Sequence, residues 1–168
     1  MNTPVLLVTG GSRGIGAAAA LIAARDGWDV AVNYTRDEAA AQSVAQRVRG
    51  LGRRALVVRG DVSREADVLA MYAAVDAELG TLRGLVNNAG VVDVAARVDA
   101  MSEARLLRMF GVNVIGSILC AREAVRRMST ARGGAGGVIV NLSSAAARLG
   151  SPGQYVDYAA AKGAIDTF

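Results

Sequence analysis

The chain has 168 residues, of which 52% are hydrophobic and 4% aromatic, and its formal net charge is +4. A chain of this length fits one globular domain that buries more than half of the surface its unfolded form exposes. It contains no histidine and a single cysteine, Cys120. This composition excludes an internal disulfide, nucleophilic catalysis with a histidine base, and metal sites built from several Cys or His ligands.

The distribution of charged and apolar residues argues against two further kinds of partner. The arginines are scattered rather than clustered, so we expect no nucleic-acid binding. The longest uninterrupted apolar run, residues 17–24, is much shorter than the ~20 residues that span a bilayer. The first four residues lead directly into a strand-like run, without the basic and apolar regions of a signal peptide. We therefore expect a cytoplasmic protein that binds no membrane, with Cys120 as a buried core residue.

Short apolar runs alternate with longer helical patterns along the chain. The predicted strands are 5–8, 30–33, 55–59, 85–87 and 138–142, and the predicted helices cover about 14–26, 37–50, 64–79 and 103–128. This alternation is typical of βαβ units with a parallel sheet. Ser63 and Ser102 are of the type that caps a helix N-terminus, while Gly50, Gly52 and Gly80 follow helices where a left-handed residue is favoured.

A glycine-rich segment follows the first predicted strand directly. Residues 9–16 read Thr-Gly-Gly-Ser-Arg-Gly-Ile-Gly and lead into an alanine-rich helix. Glycines at this point allow a tight turn and let the main-chain N–H groups at the helix start approach a pyrophosphate. Glycines also form plain turns, but their place between the first strand and the first helix favours a dinucleotide-binding loop. The predicted cofactor contacts in this loop are Gly10, Ser12, Arg13, Gly14, Ile15 and Gly16.

The end of the second predicted strand indicates which cofactor the loop binds. In NAD-binding sheets an acidic side chain at this place accepts a hydrogen bond from the ribose 2′-OH. Here the chain has Asn33, Tyr34 and Arg36, all predicted cofactor contacts, and no carboxylate. The guanidinium groups of Arg13 and Arg36 match the geometry of a 2′-phosphate. We therefore favour NADP(H), and NAD(H) stays open because both arginines could be solvated and Asp37 could turn inward.

The only lysine of the chain lies close behind a tyrosine near the C-terminus. Tyr158 and Lys162 are spaced i, i+4, which places them on one face of a predicted helix. A neighbouring ammonium group stabilises a phenolate and so makes a tyrosine a better general acid and base. In a chain without histidine, this pair is the candidate proton donor, although the same spacing also occurs in ordinary surface contacts.

Taken together and in this order, the motifs resemble the short-chain dehydrogenase/reductase family in its shorter, single-domain form. The glycine-rich segment resembles the family's cofactor loop, and the tyrosine–lysine pair resembles its active site. The run Asn-Asn-Ala-Gly at 87–90 resembles its fourth-strand motif, and Asp61 with Val62 resembles its adenine contact. The resemblance covers essentially the whole chain.

The resemblance implies both a fold and an activity. The implied fold is α/β, a doubly wound Rossmann-type parallel sheet of strand order 3-2-1-4-5 with helices on both faces. The implied activity is hydride transfer between NADP(H), or NAD(H), and a small-molecule carbonyl or alcohol. The further cofactor contacts that it implies are Asp61, Val62, Asn88, Ala89, Gly90, Tyr158 and Lys162.

The resemblance also implies catalytic roles for four residues. Tyr158 exchanges the proton with the substrate oxygen, and Lys162 both biases that tyrosine and binds the nicotinamide ribose. Ser144 holds the substrate oxygen as charge develops on it, and Asn113 orders a water beside the lysine. Ser143 competes with Ser144 for the serine role, and we prefer Ser144 because it is the second serine of the pair.

The sequence stops at Phe168, soon after Lys162, whereas family members continue through two further strands. We therefore expect one domain, residues 1–168, that is incomplete at its C-terminus and leaves the outer edge of the fifth strand uncovered. A partner chain or the rest of a longer protein would cover that edge. The alternative function is a dinucleotide-binding fragment or sensor without catalysis. The resemblance further implies a homodimer or homotetramer packed through the long helix and the helix begun by Tyr158.

Overall fold

A computed structural model describes residues 3–168, so Met1 and Asn2, which precede the first predicted strand, lie outside the described residues. One parallel sheet has the strand order β3-β2-β1-β4-β5. Its strands are β1 Val5–Val8, β2 Asp29–Tyr34, β3 Ala55–Arg59, β4 Leu82–Asn87 and β5 Val138–Asn141. The predicted strand order is confirmed, and the main difference is that β4 begins earlier than its apolar run indicated.

Helices connect the strands and cover the sheet. They are α1 Gly14–Arg25, α2 Glu38–Gly50, α3 Glu65–Glu78, α4 Glu103–Phe110, α5 Ser117–Met128, α6 Ala146–Leu149 and α7 Val156–Thr167. Between α4 and α5, a π-helix spans Gly111–Gly116. The predicted helix 103–128 is therefore continuous, but it contains an insertion that the hydrophobic pattern did not reveal.

The helix ends follow the predicted chemistry in part. Ser102 caps α4, since its Oγ accepts a hydrogen bond from the main-chain N of Arg105 at 3.3 Å. Ser63 does not cap α3, because its hydroxyl bonds to the carboxylate of Asp61 instead. Gly52 and Gly80 have the expected positive φ angles, +76° and +95°, whereas Gly50 is the last residue of α2 and the prediction for it was wrong.

Each face of the sheet carries its own core, because successive strand residues point to opposite sides. On one face Val5 and Leu7 of β1 pack with residues of α3 and α5, and the fully buried Tyr72 donates its phenol proton to the carbonyl of Cys120 at 2.6 Å. On the other face Leu6 and Val8 pack with α1 and α2. Helices therefore lie on both faces, and Cys120 is buried as predicted.

The strand at the edge, β5, is less covered than the central strands. It pairs with β4 alone among the described residues, and its side chains Val138 and Val140 are about half exposed, at 50% and 48%. The predicted uncovered apolar surface is therefore present at this edge.

The helical segment Glu103–Met128 is long and apolar enough, by length and composition alone, to cross a membrane. It has 26 residues, and its most apolar window has a mean hydropathy of 1.4. The sequence prediction considered only uninterrupted apolar runs and missed this window. Core helices of soluble proteins have the same property, and Cys120, Ala121 and Ala124 of α5 pack into the core beside the sheet. That the protein binds no membrane stays a prediction.

Candidate functional site

The loop between β1 and α1 is shaped by glycines that no other residue could replace without strain. Gly10 and Gly14 have φ angles of +60° and +56°, a region that L side chains rarely adopt. A β-carbon at Gly16 would lie 2.5 Å from Nδ2 of Asn88 and 2.7 Å from the carbonyl oxygen of Gly10. The loop can therefore close on the end of β4 only because Gly16 has no side chain.

The N-terminus of α1 is open to an anionic ligand. Its N-cap residue, Arg13, makes no side-chain cap, and its first turn contains no acidic residue. A β-carbon at Gly14 would meet nothing within 4 Å. Free N–H groups and the positive end of the helix dipole suit a pyrophosphate, and the binding of a dinucleotide to this loop stays a prediction.

Asn33, at the end of β2, joins three strand ends. Its Oδ1 accepts a hydrogen bond from the main-chain N of Gly10 at 3.1 Å, and its Nδ2 donates to the carbonyl of Gly60 at 3.0 Å. The side chain is buried, and its amide holds the cofactor loop against the turn after β3. The structure thus assigns Asn33 a supporting contact, and its direct contact with a cofactor stays a prediction.

Thr9 and Asn88 attach the loop to β4 from the other side. Thr9 Oγ1 accepts hydrogen bonds from the main-chain N atoms of Asn88 and Ala89, each at 3.0 Å. Asn88 Nδ2 donates to the carbonyls of Thr9 and Gly10 at 2.8 and 2.9 Å. Thr9 was absent from the predicted site residues, because its partner lies far along the chain and only the pairing of β1 with β4 brings them together.

The remaining predicted cofactor residues surround this loop with different exposures. Ser12 is half-buried, and Arg13, Ile15 and Arg36 are exposed, whereas Tyr34 is buried. The two arginines are thus free to meet a phosphate or water.

The turn after β3 holds the predicted adenine contact. Asp61 accepts hydrogen bonds from the main-chain N and the hydroxyl of Ser63, at 3.0 and 2.7 Å. Val62 is buried, and a β-carbon at Gly116 would lie 2.7 Å from its Cγ2. The predicted pair therefore shapes this turn and packs it against the π-helix, and its contact with a cofactor stays a prediction.

Asn113 lies in the π-helix and reaches back to the segment after β4. Its Oδ1 accepts from the main-chain N of Val91 at 3.1 Å, and its Nδ2 donates to the carbonyl of the same residue at 2.9 Å. A β-carbon at Gly90 would lie 2.8 Å from this Oδ1 and 3.9 Å from Nζ of Lys162. The structure therefore brings Asn113, Gly90 and Lys162 together, and the role of Asn113 in ordering a water beside the lysine stays a prediction. π-Helices of this kind are frequent at functional sites.

Tyr158 and Lys162 lie on one face of α7. The Lys162 ammonium is 5.8 Å from the centre of the Tyr158 ring and donates a hydrogen bond to the carbonyl of Leu142 at 2.6 Å. Lys162 is 5% exposed, and its burial lowers the pKa of the ammonium, an effect that Asp166 partly offsets. The hydrogen bond to Leu142 therefore holds the ammonium of the chain's one lysine close to the Tyr158 ring.

The two candidate serines differ in what their hydroxyls do. Ser143 Oγ donates to the main-chain carbonyl of Lys162 at 3.3 Å, which ties the end of β5 to α7. Ser144 Oγ accepts a hydrogen bond from the main-chain N of Ala146 at 3.2 Å. Ser144 is half-buried. Because its hydroxyl acts as the acceptor in this bond, it can still donate its own proton to a second group.

Comparisons with known proteins find similarity along nearly the whole chain. A family model of the short chain dehydrogenases matches residues 4–168. "Uncharacterized oxidoreductase YgfF" of Escherichia coli K12 is 52% identical over 97% of this chain and 66% of its own length. "Short-chain type dehydrogenase/reductase" of Picea abies is 38% identical over 96% of this chain and 61% of its own length.

A solved structure shows the same architecture. A Sinorhizobium meliloti 1021 protein, provisionally assigned as a short-chain alcohol dehydrogenase, superposes with a TM-score of 0.89 at 33% identity. The superposition covers 98% of this chain and 63% of that protein. The chain thus spans less than two thirds of the length of the proteins it matches.

Proposed function

The chain belongs to the short-chain dehydrogenase family, and from that premise we propose that it is an oxidoreductase that transfers hydride between NADP(H) and a small carbonyl or alcohol. The buried ammonium of Lys162 beneath the Tyr158 ring, beside Gly90 at the end of β4, is the observation that carries the proposal. The phenol of Tyr158 can both give and take a proton in such a place.

The proposed catalytic roles are those that the family resemblance implies, and the contacts of Lys162 and Asn113 support them. Tyr158 donates its phenol proton to the carbonyl oxygen of the substrate during reduction and takes it back during oxidation. Ser144 donates a hydrogen bond to the same oxygen and so stabilises the charge that develops on it. Lys162 is fixed by the carbonyl of Leu142. Asn113 keeps the segment after β4 in place beside the lysine.

The residues of the first half of the sheet fit a dinucleotide. The uncapped start of α1 and the open space at Gly14 would hold the pyrophosphate. Exposed Arg13 and Arg36, with no carboxylate at the end of β2, support a 2′-phosphate and hence NADP(H). When bound, the nicotinamide supplies or accepts the hydride.

Turnover by a Tyr158→Phe variant tests the proposal. We expect the purified protein to oxidise NADPH with members of a panel of ketones and aldehydes, and the variant to lose about 100-fold or more of kcat while binding NADPH within two-fold of the wild type. Unchanged turnover in the variant would remove Tyr158 from the mechanism. NADPH binding without turnover on the whole panel would support the alternative of a dinucleotide-binding module or sensor.

Calorimetric titration tests the cofactor preference. We expect NADPH to bind at least ten-fold more tightly than NADH, and Arg36→Ala to remove most of that difference, because a guanidinium–phosphate contact is specific to the 2′-phosphate. Arg25→Ala, which changes an exposed arginine at the other end of α1 from the glycine loop, is the matched control. Equal affinities for both cofactors in the wild type would refute the preference.

We also propose that the protein is a cytoplasmic homodimer or homotetramer that binds neither membrane nor nucleic acid. Large apolar side chains are exposed along the segment from α4 to α5, at Leu107, Ile115, Ile118 and Val125. Such a stripe marks an interaction surface. Ile118→Glu should lower the mass measured by light scattering, whereas Leu69→Glu, at an exposed leucine of α3, should not.

A further inference from the structure

A buried ion pair stands directly beside Tyr158. The carboxylate of Asp157 is 0% exposed, and the guanidinium side chain of Arg105 is 9% exposed. Arg105 Nε donates to Oδ2 of Asp157 at 2.7 Å, and its Nη2 donates to Oδ1 at 3.1 Å. Both carboxylate oxygens are therefore bound by one planar fork, which fixes the direction as well as the distance between the two side chains.

The same guanidinium also holds the segment that leaves β4. Arg105 Nη1 donates to the carbonyl of Val94 at 2.7 Å, and the main-chain N of Ala96 donates to the carbonyl of Gln154 at 2.9 Å. Residues 91–97 are thereby tied both to α4 and to the turn that precedes α7. One arginine joins three segments: α4, the first turn of α7, and residues 91–97.

These three segments surround the proposed reacting groups. Asp157 lies in the first turn of α7 together with Tyr158. The segment 91–97 begins next to Gly90, which approaches Lys162, and its first residue is held by Asn113. A rotation of the first turn of α7, or a shift of residues 91–97, would therefore move the phenol relative to a bound substrate.

Stability alone is a weak reason for such a pair. Two charges removed from water cost a large desolvation free energy, and well-packed apolar residues of similar size often replace a buried ion pair without loss of stability. Directional hydrogen bonds, in contrast, are something that apolar residues cannot supply. The pairing also acts on both partners, since it lowers the pKa of Asp157 and raises the pKa of Arg105.

We propose that Arg105 and Asp157 are a positioning pair, which sets the orientation of Tyr158 and of residues 91–97 for catalysis. The proposal rests on the proposed function, because it assigns the pair a role through Tyr158. It predicts that loss of the pair lowers kcat and leaves the affinity for the cofactor unchanged, since the glycine loop is built by other elements.

The decisive variant replaces both members of the pair, Arg105→Met with Asp157→Leu. Apolar residues remove the buried charges, so the double variant is expected to keep a thermal midpoint close to that of the wild type. Its kcat is expected to fall about 10- to 100-fold, because small misplacements of reacting groups have effects of this size, while its Kd for NADPH stays within two-fold. A double variant with the wild-type kcat would overturn the proposal.

A second ion pair offers a matched control for destabilisation. Asp29 and Arg54 make the same type of contact, with Nε 2.7 Å from Oδ2, at the start of β2. Asp29→Asn is expected to lower the thermal midpoint and leave kcat unchanged, whereas Asp157→Asn is expected to lower both. A loss of kcat in Asp29→Asn, at assay temperatures well below its midpoint, that equals the loss in Asp157→Asn would show that kcat follows stability alone and would overturn the proposal.

Two further measurements separate this proposal from the proposed function. Hydrogen exchange is expected to accelerate in residues 91–97 and in the first turn of α7 of the double variant, and not in β1 or α1; exchange unchanged in all four segments would overturn it. In the Tyr158→Phe background, removal of the pair is expected to have no further effect on kcat. If Tyr158→Phe itself retains turnover, the proposed function fails; if it loses turnover while the double variant does not, only the positioning role fails.

Discussion

In the half of the sheet that contains the glycine loop, every residue of β1 and β2 is buried, whereas β5 in the other half has alternate residues exposed. The first half is covered by helices on both faces. Each half ends at a strand paired on one side only among the described residues, β3 or β5, but four of the five residues of β3 are partly buried whereas two of the four residues of β5 are exposed. The half with the glycine loop is thus the more fully covered, and the half with Tyr158 and Lys162 depends on contacts between α4, α7 and the strand ends.

The two halves also differ in what creates their sites. The glycine loop depends on residues that have no side chain. Gly16 can approach Asn88 because it has no β-carbon. At the catalytic end the site consists of side chains whose directions are set by hydrogen bonds from other segments, as between Lys162 and Leu142 or Arg105 and Asp157. Changes of volume should therefore damage the first half most, and changes of hydrogen bonding the second.

The largest effect is expected from Gly16→Val in the loop. Its side chain would collide with Asn88 and the carbonyl of Gly10, so the loop must open, and we expect NADPH affinity to fall by about 100-fold or more. Calorimetry measures the change. The control is Gly50→Ala, at a helical glycine with open space around it, which should bind NADPH normally. Normal binding by Gly16→Val would mean that the loop is not held in this conformation.

The next effect compares the two buried aspartates by urea unfolding. Asp157→Asn leaves the guanidinium of Arg105, whose side chain is 9% exposed, without a charged partner, and we expect it to cause the larger loss in the free energy of unfolding. Asp29→Asn should cost only about 1 kcal/mol, since the side chain of Arg54 is 56% exposed and can be solvated. Equal losses would contradict the view that the positioning pair stabilises the fold more than the Asp29–Arg54 pair because the side chains of both its partners are buried.

A smaller loss is expected from Asn33→Ala, which removes the link between the three strand ends. The main-chain N of Gly10 loses its bond to the Asn33 side chain, and the carbonyl of Gly60 keeps only the longer bond from Thr35 Oγ1 at 3.3 Å, so we expect about 2 kcal/mol less stability and weaker NADPH binding. Urea unfolding and calorimetry measure the two effects. Gln46→Ala, on the exposed side of α2, should stay within about 0.5 kcal/mol of the wild type.

The smallest effect concerns how the free energy of unfolding falls at acidic pH. Hydrogen bonding from Arg105 lowers the pKa of Asp157, although burial acts in the opposite direction. A carboxyl group with a lowered folded pKa stabilises the fold above its unfolded pKa of about 3.9, and this contribution disappears as the pH falls through the folded pKa. Between about pH 5 and pH 3, the free energy of unfolding should therefore fall more steeply in the wild type than in Asp157→Asn. Parallel curves would contradict the role assigned to the pair.

Much of the fold was predictable because short sequence patterns indicate its strands and turns. Apolar runs gave all five strands, and the family motifs gave their order, with errors only at the ends, as at the early start of β4. The glycine loop was predictable because a positive φ angle and a close approach both require glycine. The π-helix was missed, since its extra residue changes hydrogen bonding without breaking the apolar pattern.

The proximity of Tyr158 and Lys162 was predictable, whereas the hydrogen-bond partners of several side chains around them and around the loop were not. Tyr158 and Lys162 share a helix face, so their proximity follows from spacing alone. Thr9, by contrast, meets Asn88 across 79 positions of chain, and Arg105 meets Asp157 across 52. The sequence around these residues contains no local pattern that predicts partners so far along the chain.

The sequence by itself determined the strands, the glycine turn and the tyrosine–lysine pair, because hydrophobic periodicity, glycine conformations and helix spacing act over a few residues. Several contacts were decided only by the tertiary structure. Asn33 and Thr9 hold the loop, and Lys162 binds the carbonyl of Leu142 after β5. Arg105 binds Asp157 in the helical turn that carries Tyr158. These are contacts between strand ends and helices distant in the chain, and they arise only when the parallel crossovers bring those ends to one edge of the sheet.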